Sequence, residues 1–393
     1  MNDKVEFSEN VVAGGPDNYI EVHHVLLKGS NYVIGRKIAE IAKTLNVRIN
    51  PEEDTIRNRM KREYIRRNYP IFYKRMKGIA DAFGEELDND CFDFSGIVQY
   101  PVHGVSCSVL FYPGSVTENG HSIMSRNFDF TTGTVQGTIP KEGEMALMER
   151  PYIFEMYPDE GYASLSICAY DLLGGVLDGI NSEGLVVSIL GDEETMAKYG
   201  MQPSNGVGVH ELLSMRYLLD NCKNTVEAKE ALLYLKHYYG FVPCHYIVAD
   251  EQGSSFVFEF SSLRNSVHII DGEGIQCVTN HLLHNYGSID DFPEGESIET
   301  NSYRRYEKLH KLTKKKNAFG ISEIKKINEA VANEGLPYDN PDYAPNRTLW
   351  HALYDIEERS LSVKFYLGEK ESKKGEKEIE YSEYKKFVLK STV

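Results

Sequence analysis

Residues 106–130 read SCSVLFYPGSVTENGHSIMSRNFDF, two strand-like runs separated by turn residues. The run 106–112 is short, apolar and rich in the residue types that favour a strand. Asn119-Gly120 is a strong hairpin signal, and residues 121–130 supply a returning strand. The segment therefore predicts a β-hairpin with Cys107 on one strand and Arg126 and Asp129 on the other.

This hairpin predicts that Cys107 lies close to Arg126 and Asp129. Side chains alternate between the two faces of a strand, so Cys107 and Val109 share one face. A nearby guanidinium favours the reactive thiolate form of a cysteine, and a carboxylate at 129 would hold a neighbouring base. The alternative interpretation is a buried core cysteine beside an ordinary ion pair, since free cysteines are among the most buried residues.

Strand-like and helix-like segments alternate along the rest of the chain. Strands are predicted at 152–157, 163–170, 184–190, 244–249, 254–260, 266–270, 347–356 and 361–367. Helices are predicted at 31–44, 51–76 with a break at Pro70, 78–83, 207–220, 225–237, 301–315 and 322–333. The first hundred residues are thus expected to be helical, and the lysine-rich stretch 368–378 to be a solvated loop. This order favours an α+β protein with helices outside two sheets.

Charge and composition narrow the classes of partner. The 393 residues carry a net charge of −16, which argues against nucleic acid, because phosphate binding requires a basic surface. The first residues, MNDKVEFSENVVAGG, lack the basic start and apolar run of a signal peptide, and no run reaches the roughly 18 apolar residues of a membrane helix. We therefore expect a cytoplasmic protein with no membrane partner.

The cysteines and histidines give no metal site. Six cysteines lie far apart without a CxxC pair, so we expect free and mostly buried thiols, no bound metal and no other cofactor. His23 and His24 are best explained as part of a strand. His103, near the start of the hairpin, is a weak candidate for assisting chain cleavage.

The motifs resemble the choloylglycine hydrolase and penicillin acyltransferase branch of the N-terminal-nucleophile (Ntn) hydrolases, including the peptidase C45 family. Members of that branch begin their catalytic chain at a cysteine and follow it, one hairpin later, with an R-N-x-D-[WYF] strand. The similar segments here are Arg126–Phe130, Asp178–Leu185, Val278–His281, Ser302–Tyr306 and the closing hairpin 347–367. Leu26–Ala39 and Lys77–Gly84 resemble the pro-region of the penicillin acyltransferases.

The resemblance implies a four-layer αββα sandwich and a chain that cuts itself between Ser106 and Cys107. Residues 1–106 would be a helical pro-region retained after self-cleavage, and 107–393 the catalytic domain. The freed α-amino group of Cys107, with a pKa of about 7.7–8.0, would serve as the base. Two departures stand out. Ser106 replaces the glycine of penicillin acyltransferases, and Gly191 replaces an asparagine of bile-salt hydrolases.

The same resemblance assigns roles to the remaining site residues. Arg126 and Asp129 would steer the amine and thiolate, Asn280 would donate its side-chain N–H to the oxyanion, and Arg305 would anchor the network. A backbone N–H at Gly191 would be a weaker oxyanion donor. Asn280 as a turn residue and Arg305 as a solvated helix residue are the alternatives.

Three functions remain open from the sequence. The first is hydrolysis of a linear amide in a small N-acyl substrate through a Cys107 thioester. The second is an acyltransferase that moves the acyl group from a thioester or peptide donor to an amine. The third is an uncleaved, inactive binding protein of the same fold. The oligomeric state stays open, a homo-oligomer included.

Overall fold

The computed structural model describes residues 4–45, 47, 49, 54–96, 106–169, 172–200, 206–261, 266–295, 301–314, 316–333, 342–371 and 377–390. Two large β-sheets face each other in this part of the chain, and helices cover their outer faces. A second, smaller apolar cluster lies between the sheet that contains residues 106–112 and the helices that cover its outer face.

The larger sheet has nine strands, most of them antiparallel to their neighbours. In spatial order they are β1 (Glu6–Gly14), β2 (Glu21–Gly29), β5 (Tyr152–Pro158), β6 (Ser164–Cys168), β7 (Asp178–Asn181), β8 (Val186–Gly191), β11 (Cys244–Ala249), β12 (Ser255–Ser261) and β13 (Ser266–Asp271). Only the β2–β5 pair is parallel within this sheet, so β1 and β2 extend a sheet whose other strands come from later in the chain.

The second sheet contains the hairpin and has seven strands. Its order is β14 (Gln276–Val278), β3 (Ser106–Tyr112), β4 (Ile123–Thr131), β15 (Asn346–Asp355), β16 (Ser360–Glu371) and β17 (Lys377–Tyr381), with β18 (Lys385–Val388) also paired to β16. A separate two-residue parallel pair joins β9 (Val209–His210) and β10 (His237–Tyr238).

The eight helices of the described chain form the outer layers. They are α1 (Asn31–Thr44), α2 (Thr55–Asn68), α3 (Pro70–Phe83), α4 (Glu193–Tyr199), α5 (Glu211–Asn221), α6 (Thr225–Tyr234), α7 (Asn301–Thr313) and α8 (Ile321–Glu329). Helix α5 packs on β7 and β8, whose other side faces β3, while α7 and α8 pack on β3 and β4. The layers therefore run helix, sheet, sheet, helix, which confirms the αββα sandwich.

Alternation along β3 places this strand between two apolar layers. Val109 and Phe111 belong to the main core between the sheets, whereas Leu110 and Tyr112 face the cluster beneath α7 and α8. Every residue of β3 is buried, as expected for a central strand covered on both faces.

The N-terminal hundred residues are less helical than the sequence predicted. The predicted helix 31–44 and the break at Pro70 are confirmed, but β1 and β2 precede the helices and join the nine-stranded sheet. Strand β1 is exposed along most of its length, so its sequence lacks the apolar alternation that would reveal it. His23 and His24 lie on β2, where the sequence placed a strand.

The lysine-rich segment is the second difference. Residues 368–371 continue β16 and Lys377 begins β17, so the prediction of a loop over 368–378 is wrong at both ends. Residues 372–376 and His103 lie outside the described residues. Across the described chain, no helix combines the length and the apolar character needed to span a bilayer.

Candidate active site

Cys107 lies at the end of the hairpin remote from its turn. It is opposite Phe128 in the antiparallel register, and Ser106 is opposite Asp129. Side chains alternate along a strand, so Cys107 points between the sheets and Ser106 points toward α7. The Ser106–Cys107 bond therefore joins two residues that face opposite sides of the seven-stranded sheet.

Polar groups bind the backbone of Cys107 on both sides. The Asn280 side-chain oxygen accepts the Cys107 N–H at 2.6 Å, and the Arg305 guanidinium donates to the Cys107 carbonyl. Arg305 also donates to the Ser106 hydroxyl at 2.7 Å and to Asn280 Oδ1 at 2.9 Å. Arg305 thus binds both residues of the Ser106–Cys107 bond as well as Asn280.

The thiol side of the site is organised by Arg126. Its Nη2 lies 3.6 Å from Cys107 Sγ and donates to the Ile189 carbonyl at 2.7 Å. Its Nη1 donates to the Asp178 carboxylate, which also accepts the Tyr354 hydroxyl. A fully buried Arg126–Asp178 ion pair therefore fixes the guanidinium beside the sulphur.

The surroundings of the Cys107 thiol disfavour its ionised form. Cys107 has no solvent exposure, and this burial raises its pKa above the ordinary value, while Arg126 acts in the opposite direction and Asp129 adds to the rise. Arg126 favours the thiolate, as expected of a nearby guanidinium, but desolvation has the larger effect and the net pKa of the thiol is raised.

Asp129 presents one occupied and one free carboxylate oxygen. Its Oδ1 accepts the Thr348 hydroxyl at 2.5 Å, whereas Oδ2 is buried without a hydrogen-bond partner among the described residues. Burial raises the pKa of Asp129 to about 6, against the opposing effects of Arg305, Thr348 and Arg126. An unpaired buried acceptor is costly, so Oδ2 is a natural site for an additional donor.

Glu193 joins the site from the first turn of α4. Its carboxylate lies 3.9 Å from Arg305 and accepts a hydrogen bond from the Ser106 hydroxyl. Burial raises the pKa of Glu193 to about 7, although its side chain keeps 28% exposure. Glu193 can therefore gain or lose a proton near neutral pH, beside the residue that precedes Cys107.

Asn280 and Gly191 are hydrogen-bonded to each other. The sequence instead led us to expect both residues to direct an N–H group toward a substrate oxyanion. Asn280 presents its oxygen to the Cys107 N–H and donates its Nδ2–H to the Gly191 carbonyl at 2.8 Å. The oxyanion role of the Asn280 N–H therefore stays a prediction, and it requires the Asn280–Gly191 bond to open. The same holds for a backbone donor at Gly191.

Two further features lie near these elements. A cavity of about 360 Å³ has in its wall Glu194, the residue after Glu193, and Leu282, the second residue after Asn280. At the turn end of the hairpin, opposite to Cys107, ligand atoms of His121, Asp355 and Glu357 lie within 4.8 Å of one another. This surface group holds no residue of the cysteine site.

Sequence reasoning did not assign roles to Asp178, Glu193, Thr348 and Tyr354. Asp178 was within a recognised motif, and its distance from Arg126 was the missing information. Thr348 begins the closing hairpin without any distinguishing pattern. Glu193 reads as an ordinary acidic residue in a helix first turn.

Comparison with known proteins identifies the family. A sequence model of the family described as acyl-coenzyme A:6-aminopenicillanic acid acyl-transferase matches residues 116–371. This range contains Arg126, Asp129, Asn280 and Arg305, and it begins beyond Cys107. No curated protein sequence matches the chain.

Solved structures with a similar chain include a hydrolase and an acylase. A mutant of the conjugated bile acid hydrolase from Clostridium perfringens is 15% identical with a TM-score of 0.45, over 72% of this chain and 97% of that one. Penicillin V acylase from Agrobacterium tumefaciens is 17% identical with a TM-score of 0.41, over 66% of this chain and 83% of that one.

The two facing sheets and the family match define an Ntn-type enzyme, of the class that hydrolyses amides or transfers acyl groups. Within that class, the chain belongs to the acyl-coenzyme A:6-aminopenicillanic acid acyl-transferase family.

Proposed function

We propose that the chain cleaves its own Ser106–Cys107 bond and then uses Cys107 to cleave a linear amide in a small N-acyl substrate. The observation that carries this proposal is the concentration of buried charged and polar groups on that one bond. Arg305 binds both of its residues, Asn280 binds the Cys107 N–H, and Arg126 binds the thiol. A core cysteine without a chemical role does not require these partners.

Self-cleavage would begin when the Cys107 thiol adds to the Ser106 carbonyl carbon. The C–N bond then breaks, the sulphur keeps the acyl group as a thioester, and the thiol proton passes to the leaving nitrogen. Water next hydrolyses the thioester, which releases Ser106 as a carboxylate and regenerates the thiol. Glu193, with a pKa of about 7 beside Ser106, is suited to exchange a proton during these steps.

The cleaved site would then combine base and nucleophile on one residue. The new α-amino group of Cys107 replaces an N–H that Asn280 now binds, and free Asp129 Oδ2 is available to accept a hydrogen bond from it. The amine takes the thiol proton, and the thiolate attacks the substrate carbonyl to form a thioester. Asn280 would turn its N–H to the developing oxyanion.

The N-terminal fragment would remain bound after cleavage. Arg75 of α3 forms a bidentate ion pair with Asp220 of α5 at 2.6 and 3.1 Å, and both side chains are buried. Strand β2 also pairs with β5 along seven residue positions. Residues 1–106 therefore contribute strands β1 and β2, buried charge pairing and core to the fold, and we expect the fragment to leave only on unfolding.

Acyl transfer to an amine is the second candidate function. The description of the matching family names an acyl-transferase with an acyl-coenzyme A donor. Both reactions share the Cys107 thioester, and they differ in whether water or an amine removes the acyl group. The donor in the transfer reaction would be an acyl thioester.

The test of the proposed function is to locate the acyl group. Cleaved protein is mixed with a slow N-acyl amide, quenched in acid and digested, and the peptide masses are measured. The proposal expects the acyl mass on the N-terminal peptide that begins at Cys107, and none in Cys107→Ala. An acyl group on another cysteine would contradict it. Products analysed with and without an added amine then separate hydrolysis from transfer.

A further inference from the structure

Strand β15 changes its register beside the site. Thr348 lies opposite Asp129, but Trp350 lies opposite Phe128, so Leu349 is an extra residue between them. Such a β-bulge changes the direction in which the side chains of a strand point, and bulges are common next to active sites. Because of this bulge, the consecutive residues Leu349 and Trp350 both join the main apolar core, whereas Thr348 lies opposite Asp129.

The two sides of β15 act on the two charged residues of the hairpin, directly on Asp129 and through Asp178 on Arg126. On the side of α7 and α8, the Thr348 hydroxyl binds Asp129. Between the sheets, the Tyr354 hydroxyl binds Asp178, and Asp178 in turn pairs with Arg126. Strand β15 thus fixes the carboxylate and the guanidinium through separate side chains.

The hydrogen of the Thr348 hydroxyl has a defined direction. Thr348 Oγ1 accepts the backbone N–H of Asn333 at 2.8 Å, and the Thr348 N–H donates to the Asn333 carbonyl at 3.1 Å. With its oxygen occupied by that donor, the hydroxyl directs its own hydrogen to Asp129 Oδ1. Oδ2 is therefore the oxygen that remains available beside Ser106 and Cys107.

We propose that Thr348 is a positioning residue for the reaction, which holds the Asp129 carboxylate ionised and turned so that Oδ2 receives the α-amino group of Cys107. This inference rests on the proposed function, because the amine exists only after self-cleavage. It adds a residue that touches neither the thiol nor the substrate and acts through Asp129 alone.

The charged groups around Asp129 set the sign of the effect. Arg126 on β4 and Arg305 on α7 favour the charged carboxylate, while Glu193 on α4 and the Cys107 thiolate oppose it. A hydroxyl that donates to the carboxylate also favours the charged form, so its loss raises the pKa of Asp129. The acid side of the pH–rate profile must then move to higher pH.

The experiment compares Thr348→Val with Thr348→Ser and uses Thr131→Val as the control. Thr131 is a buried threonine of β4 whose hydroxyl binds the Ala344 carbonyl and not the site. The rate of self-cleavage and the turnover of cleaved enzyme are measured across pH. For Thr348→Val, we expect the midpoint of the acid limb of the pH–rate profile to move to higher pH by about one unit. This is the size expected for losing one hydrogen bond to a charged group. Thr348→Ser and Thr131→Val keep the wild-type profile.

Two outcomes overturn the inference. One is an active Thr348→Val with the wild-type acid limb, and the other is a Thr348→Ser that shifts as far as the valine variant. If Thr348→Val does not fold, Thr348→Ala against Thr348→Ser gives the same comparison. If the wild type neither cleaves itself nor turns over substrate, the proposed function fails by itself. The link to Thr348 is then decided by NMR titration of the Asp129 carboxyl, whose midpoint must rise only when the hydroxyl is removed.

Discussion

The Asn280 side-chain oxygen accepts the backbone N–H of Cys107 at 2.6 Å, across 173 residues of chain. The contact joins the start of β3 to the segment that follows β14, and Arg305 binds the same oxygen. Asn280 is therefore bound to the very nitrogen that self-cleavage would release as an amine. The contact gives Asn280 a role in the intact chain in addition to the oxyanion role expected from the sequence.

Asn280→Ala is expected to lower kcat of the cleaved enzyme by at least about tenfold, a cautious floor under the loss of one oxyanion donor. Substrate affinity should change little, because the interaction strengthens in the transition state. Steady-state kinetics on cleaved protein measures this effect, with Asn221→Ala as the control, since the Asn221 side chain donates to the Tyr217 carbonyl on α5 and binds no site residue among the described ones. A near-normal kcat for Asn280→Ala would show that other groups form the oxyanion site. The backbone N–H groups near Gly191 would then be the first candidates.

Labelling of Cys107 by a thiol-directed reagent should increase as the chain is cleaved. Cys91 is exposed, whereas Cys107, Cys168, Cys222, Cys244 and Cys277 are buried. In a Cys91→Ser background, we expect little reaction of the intact chain with a thiol-directed electrophile, because burial keeps the Cys107 thiol protonated. Label on Cys107 should then increase in step with the cleaved fraction. Rapid labelling of the intact chain at Cys107 would contradict the buried, protonated thiol.

Asp129→Asn should slow both self-cleavage and turnover. The change removes the negative charge that Oδ2 would offer to the α-amino group, while the Thr348 hydroxyl keeps an oxygen to bind. Cleavage is followed by gel densitometry, and turnover is measured on whatever fraction is cleaved. An Asp129→Asn enzyme with wild-type values for both would remove Asp129 from the mechanism.

Glu193 should make the folded protein less stable as the pH rises. Its folded-state pKa of about 7 lies above the ordinary value of 4.5, so the folded chain binds this proton more tightly than the unfolded chain. The contribution to the free energy of unfolding is therefore present below about pH 4.5 and is lost between about pH 4.5 and 7. Glu193→Gln should lose less stability than the wild type over that range. Parallel curves of unfolding free energy against pH would contradict the raised pKa.

The buried Arg75–Asp220 pair should hold the two fragments together. Arg75→Met removes the bidentate partner of Asp220, while Arg216 and the Tyr69 hydroxyl still bind that carboxylate. We therefore expect a loss of about 1–3 kcal/mol in the free energy of unfolding. Lys74→Met is the matched control, because the neighbouring Lys74–Glu160 pair is about half-exposed and is expected to contribute at most about 1 kcal/mol. Denaturant unfolding measures both variants. Equal effects would show that burial of the pair is unimportant.

The hairpin could be predicted from sequence because its signals are local. Strand alternation and the Asn119-Gly120 turn act over short distances, so the approach of Arg126 to Cys107 followed from them. The pairing of Thr348 with Asp129 spans 219 residues and depends on a bulge that no local pattern announces. Its prediction requires the register of β15 on β4.

The raised pKa of Cys107 and the strands β1 and β17 were missed for a different reason. A pKa depends on burial of the assembled fold, and here desolvation outweighs a guanidinium that the sequence had placed correctly. Strand β1 is polar and mostly exposed, so it lacks the apolar alternation of a half-buried strand. Strand β17 has only a short alternation, Ile379 and Tyr381, directly after a lysine-rich stretch.

The intact mass of the purified protein after incubation at neutral pH tests the central claim most directly. We predict two masses, for residues 1–106 and 107–393, which remain together in native size-exclusion chromatography and separate on denaturation. Cys107→Ala should give the full-length mass alone, and Cys91→Ala should cleave as the wild type does. A wild-type protein that stays at its full-length mass after prolonged incubation would contradict self-cleavage, and it would favour an uncut binding protein with the same fold.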